Sequence, residues 1–207
     1  MTALLSTTYF GPIQWYQKLF RYDQVVIEQY ESFQKQTFRN RCIIATTQGT
    51  QALTVPIESE KLKVKSEELI KDIRISDHGD WRRLHWNALV SAYGDSPFFD
   101  YYQDDIRPFF TRRWTYLLDF NEAIRQTICQ LLDISPHVSY SESYIKDPVP
   151  DGTTSFREAI RPKHPLPDSD FLPRRYYQVF EHKHGFFPNL SILDLLFNMG
   201  PEGVFYL

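Results

Sequence analysis

The opening stretch limits most strongly what this chain can fold into. "ALLSTTYF" reads as a strand, "GPIQWYQKLFRY" as a short helix and "QVVIEQY" as a second strand. Pro12 suits a first helical turn, and Ile13, Tyr16, Leu19 and Phe20 recur behind it at helical spacing. The crossover is short for such a unit, yet strand, helix and strand in succession predict a parallel βαβ-like start.

The next segments of the chain add strands of another kind. "CIIATT" and "ALTVPIE" flank "QGTQ", whose Gly49 marks a β-hairpin, and Pro56 turns the end of the second strand into an edge or an exit. "IKDIRIS" and, much later, "YYQVF" read as further strands. The expected fold class is α/β (α+β), with a mixed central sheet of about five strands and a helical second half packing on it. From Asp80 the period is helical: Trp81, Leu84, His85, Ala88 and Ala92 share one stripe, and Gly94 ends it. "PFFDYYQDDI" is a second helix. Asp119 and Glu122 form a capping box before "AIRQTICQLLDI", and "NLSILDLLFNMG" is a final apolar helix. Residues 146–173 hold six of the chain's 13 prolines and read as a long loop inside a single domain spanning 1–207.

Composition excludes several classes. A formal net charge of -3 and a pI near 6.1 argue against general nucleic-acid binding. No apolar run is long enough to cross a bilayer and the N-terminus lacks the features of a signal peptide, so the reading is of a cytoplasmic protein with no membrane span. Cys42 and Cys129 sit in apolar surroundings, as buried free thiols do. Phosphate-loop, dinucleotide, nucleophile-elbow and zinc signatures are absent, so neither cofactor nor metal is expected.

One stretch stands out against the acidic total. From Ser32 to Ile57 there are three cations, Lys35, Arg39 and Arg41, and no carboxylate, with Gln36, Asn40, Phe33 and Phe38 between them. Such a group is either a solvated connection or an anion site in which guanidinium forks and a lysine meet phosphate or carboxylate while the amides read polar groups. His85 is the best-placed general base if it reaches a cleft, and otherwise a hydrogen-bonded core histidine. His182 and His184, in "EHKHG", alternate on one strand face without a third ligand in sight. Arg157, Arg161, Lys163, Arg174 and Arg175 make a second cationic group, either a lid over an anion or a solubilising set.

Taken together, "YFGPIQWYQKL", "FQKQTFRNRC" with "LTVPI" behind it, and "DWRRLHW" with Tyr93 beyond resemble the WbqC-like family. The C-terminal "YYQVFEHKHGFFPNLSILDLLFNMGPE" resembles its Bacteroidetes-type branch. The family pattern falls on Tyr9, Pro12, Gln14, Lys35, Asn40, Arg41, Pro56, Trp81, His85 and Tyr93, while Thr7-Thr8 stands where the family often has Gln-Pro. The resemblance implies a place in bacterial O-antigen or other surface-polysaccharide biosynthesis.

Residues and resemblance together lead to a group transferase acting on a nucleotide- or lipid-linked sugar or an acyl-type donor. Lys35, Arg39 and Arg41 would hold its anionic part, Gln36 and Asn40 would read its polar groups, and Phe33, Phe38 or Trp81 would stack on a ring, with His85 as base and Tyr9, Gln14 and Tyr93 as further substrate-binding residues. The competing reading is a non-catalytic scaffold that recruits other glycan-assembly enzymes through an exposed "GFFPNL" patch. A transferase needs convergence on one concave site, whereas a scaffold needs a patch without it.

Overall fold

The computed structural model describes residues 1–58 and 68–207. β1 (Thr2–Ser6), α1 (Ile13–Arg21) and β2 (Gln24–Glu28) form the βαβ start, with the strands parallel in register from Thr2 opposite Gln24 to Ser6 opposite Glu28. The helix begins after Pro12 and buries Ile13, Trp15, Tyr16 and Leu19. The strand interior, Ala3, Leu4 and Leu5, is fully buried, which is the uniform burial a parallel sheet requires.

β3 (Arg41–Thr46) and β4 (Gly49–Thr54) pair antiparallel as the hairpin, and Gly49 takes the positive φ of 109° that its turn needs. The hairpin forms its own two-stranded sheet. Pro56 follows β4, and among the described residues from there to Ser76 only isolated bridges occur, Ile57 with Ile75, Leu69 with Ser32 and Arg74 with Tyr116. "IKDIRIS" is therefore a 3-10 turn at Ile70–Asp72 followed by single bridges, not a strand, since the proline offers no N–H to continue a ladder.

Four helices come next: α2 (Trp81–Tyr93), α3 (Phe99–Ile106), α4 (Pro108–Thr111) and α5 (Leu117–Leu131). α5 starts two residues before Asp119, so the expected capping box is not made; Asp119 faces the positive end of the helix from its first turn, and Glu122 pairs with Arg125. The chain then returns to the first sheet with β5 (Val138–Tyr140) beside β2 and β6 (Thr153–Ser155) beside β1, both parallel. The sheet order is β5-β2-β1-β6, so the connections leave β1 first toward one edge and later arrive on its other side.

The final helices are α6 (Glu181–His184) and α7 (Ile192–Met199). "YYQVF" is not a strand. Tyr176 and Gln178 instead turn inward and bind the buried carboxylate of Asp194 on α7, at 2.6 and 3.1 Å, so side-chain bonds replace a ladder. His182 and His184 lie on α6, where His184 Nε2 is 3.1 Å from the Thr47 carbonyl of the hairpin turn. The proline-rich stretch is tied to α1 and the residue that follows it: Asp168 accepts from Gln14 and Lys18, and Asp170 from Tyr22. Among the described residues no helix is long and apolar enough to cross a membrane.

Candidate functional site

The order of the parallel sheet singles out one place. In open parallel sheets ligands lie beyond the carboxyl ends of the strands, where the connections diverge to the two sides. Here that point lies between β1 and β6. Ser6 at the end of β1 with Thr7 and Thr8 just after it, Phe156 and Arg157 just after β6, and Phe38 and Arg39 from the 32–40 connection line a crevice of about 10 Å³, room for one water. A chamber of about 490 Å³ lies against it, walled by Tyr30, Glu31, Gln34, Tyr144, Asp147 and Glu158 among others. Arg39 and Arg157 line both cavities.

The two guanidiniums are held differently. Arg39 binds Glu31 through both Nε and Nη2, at 2.8 and 2.6 Å, and Nη2 also donates to Ser6 Oγ at 2.9 Å. Its carbonyl accepts from Asn121, so backbone and side chain are both fixed. Arg157 donates Nε to Ser155 Oγ at 3.2 Å, while its Nη1 and Nη2 stand 3.9 Å from Glu28 and 3.6 Å from Asp147, beyond hydrogen-bond range. Behind it the fully buried Glu28 accepts from Ser141 Oγ and from the Tyr30 and Ile145 amides. Arg157 is thus buried, charged and under-bonded, with its cation 5.2 Å from the Tyr144 ring.

The residues expected from sequence are dispersed. Of the three cations, Arg39 alone faces the chamber. Lys35 is exposed, and Arg41 lies on β3 with Nε on Thr54 Oγ1 at 3.0 Å. Gln36, in the left-handed region with φ 61°, accepts from Lys163. Asn40 is buried and donates to the Val55 carbonyl, and Gln14 is buried against Asp168 and Asn189.

The other four sit in the core. His85 is packed among Tyr9, Trp81 and Phe110, with Nδ1 2.9 Å from Tyr9 Oη. Burial brings its pKa down to about 4 against the pull of the Thr54 carbonyl, so at neutral pH it is uncharged. Neither cavity at the carboxyl ends is lined by it. Trp81 donates to the Ser76 carbonyl, and Tyr93 donates to Asp194 and accepts from the Ala45 amide.

Sequence reasoning passed over Glu31, Tyr30 and Glu28, and took Arg157 only as one of a basic set. Glu31 had a signal: it directly precedes the stretch that looks free of carboxylates. Among the described residues no three His, Cys, Asp or Glu side chains are grouped so as to hold a metal ion.

Similarity to other proteins agrees with the motifs. The Uncharacterized protein Rv1507c of Mycobacterium tuberculosis is 29% identical over 209 aligned positions, covering 89% of this chain and 87% of that protein. No solved structure matches. Residues 7–153, from the loop after β1 to the first residue of β6, match the model of one family, and on that match the chain belongs to the WbqC-like protein family.

Proposed function

We propose that this protein is a group transferase of bacterial surface-polysaccharide (O-antigen-like) biosynthesis that binds an anionic activated substrate at the carboxyl edge of its parallel sheet. The observation that carries the reading is the meeting of Arg39 and Arg157, from opposite sides of the point where the sheet connections diverge, on one concave site. Arg39 is neutralised by Glu31 and held by Ser6, so it shapes the wall. Arg157 supplies the unfilled donors. Tyr30 and Tyr144 offer ring surface, and Gln34 offers an amide for substrate hydroxyls.

In this reading Lys35 and Arg41 have no part in the site, and His85 serves the aromatic core with Tyr9. Proton transfer falls to carboxylates on the chamber wall, of which Glu158 is exposed but paired with Arg161 and Glu31 is committed to Arg39. The scaffold alternative gains no support from "GFFPNL", because Phe186 and Phe187 are half-buried and Phe186 packs on the core.

The test is a thermal-shift panel of simple carboxylates and phosphates, nucleotides, nucleotide sugars and acyl donors on the native protein and on Arg157→Gln. A ligand at a hundredfold excess over its Kd stabilises by about 2.7 kcal/mol. One ligand class should raise the Tm of the native protein and leave the variant unmoved. Equal shifts in both proteins, or none with any class, reject an anion site built on Arg157.

A further inference from the structure

Resting on that reading, we infer that the charged end of the ligand is a single oxyanion group, a carboxylate or a phosphate monoester, and not a pyrophosphate. Three observations narrow it. First, the site has one open fork. Both Arg39 nitrogens that bind Glu31 are committed, and Nη2 holds Ser6 as well, whereas Arg157 keeps Nη1 and Nη2 without a hydrogen bond. Two parallel N–H donors satisfy one planar or tetrahedral oxyanion.

Second, the usual seat of a pyrophosphate is taken. In sheets of this kind the diphosphate lies on the N-terminus of the helix after the first strand. Here the first free amides of α1 are already occupied: Ile13 N donates to the Leu190 carbonyl and Gln14 N to Asn189 Oδ1, both at 3.0 Å. The segment leading into α7 closes that end.

Third, the charge balance of the chamber opposes a multiply charged group. Its walls carry Glu31, Asp147 and Glu158 against Arg39 and Arg157, and Glu28 lies behind Arg157. Glu158 is already paired with Arg161 and Glu31 with Arg39, so Arg157 alone is left to face Glu28, Asp147 and the ligand, and a second negative charge would meet those two carboxylates at short range. The crevice behind the two arginines admits about one water, so the body of the ligand occupies the chamber and its oxyanion stops at the neck. Asp147, whose side chain is 71% exposed and whose Oδ1 is 3.6 Å from Arg157, is the group that the incoming oxyanion displaces.

The experiment is isothermal titration with four glucose-based probes: glucuronate, with a carboxylate at C6; glucose 1-phosphate, with a phosphate monoester at C1; UDP-glucose, with a diphosphate at C1 that also carries uridine; and uncharged glucose. Glucuronate or glucose 1-phosphate should bind roughly tenfold or more tighter than UDP-glucose and glucose, the range of a charge-assisted bidentate contact. Which of the two binds tighter tells carboxylate from phosphate monoester. Arg157→Gln should abolish the preference and Arg157→Lys, which keeps the charge without the fork, should retain part of it. Asp147→Asn, by removing the competitor, should tighten binding by roughly twofold to fivefold, the scale of an exposed ion pair. If UDP-glucose binds tightest and depends on Arg157, the single-oxyanion inference falls while the anion site stands. If no probe binds, or binding ignores Arg157, both fall.

Discussion

Two buried ion pairs, Lys18 with Asp168 and Arg39 with Glu31, look alike in isolation and differ in what surrounds them. The Lys18 ammonium is fully buried, 2.8 Å from Asp168 and 4.4 Å from the centre of the Phe156 ring, and Gln14 supplies a further hydrogen bond to the same carboxylate. It is sealed. Burial alone would raise the Asp168 pKa, but the Lys18 and Gln14 bonds outweigh it and hold the carboxyl below its ordinary value. Arg39 and Glu31 are as deeply buried on their own side chains, yet both line the chamber. The first pair fastens the proline-rich stretch to α1; the second lines the chamber in which the proposed ligand would sit. Burial of charge therefore marks two different tasks in one molecule, and only the neighbouring cavity tells them apart.

Breaking either pair from one side should give the largest effects. Asp168→Ala leaves Lys18 charged in the core, and Glu31→Ala leaves Arg39 so; each should cost about 3–5 kcal/mol in urea unfolding. Removing both partners separates the tasks. Lys18→Met with Asp168→Leu should recover most of the stability and keep ligand binding, because an apolar pair of similar size suits a sealed site. Arg39→Met with Glu31→Leu should also recover stability but lose ligand binding. If the second double variant binds as the native protein does, the chamber wall is structural and the comparison collapses.

The same contrast explains what the sequence could disclose. The βαβ start, the hairpin and the helices from Trp81 onward were legible because each is a local pattern: apolar spacing, a glycine in a turn, a proline at a helix start. The site was legible only in part, because it is made by strand ends that lie far apart in sequence. Ser6, Glu28, Arg39 and Arg157 meet through the order β5-β2-β1-β6, which no local pattern encodes. The dense cations of 35–41 suggested one cluster. Strand geometry and turn conformation scatter them instead, with Lys35 outward, Arg39 inward and Arg41 on the hairpin. Much of the 16% aromatic share lies in the core, where Tyr9, Phe10, Phe109, Phe110, Trp114 and Phe120 pack in mutual contact.

A third buried charge site gives a smaller effect with a definite sign. Asp194 is enclosed by α7, and burial lifts its pKa to about 6 although Tyr176, Tyr93, Gln178 and Asn198 favour the charged form. A carboxyl with a raised folded-state pKa contributes stability that is complete below the unfolded value of 3.8 and is lost as pH rises through about 6. The loss amounts to about 3 kcal/mol at most, from a shift of roughly two pKa units. Asp194→Asn should therefore flatten the unfolding profile between about pH 4 and 6. An unchanged slope would show that the two tyrosines already stabilise the anion fully.

The smallest effects should fall on the residues that the sequence made most prominent. Lys35 is exposed and has no hydrogen bond or ion pair among the described residues, so Lys35→Ala should change stability by less than about 0.5 kcal/mol. Arg41→Ala loses the bond to Thr54 Oγ1 and the stem packed on the hairpin, and should cost about 1 kcal/mol. Neither should alter ligand affinity, because neither lines the chamber that Arg39 and Arg157 share. A loss of affinity in Lys35→Ala would mean that the 32–40 connection closes over the bound ligand, which would move the neck of the site outward from Arg157 and join the two cationic groups after all.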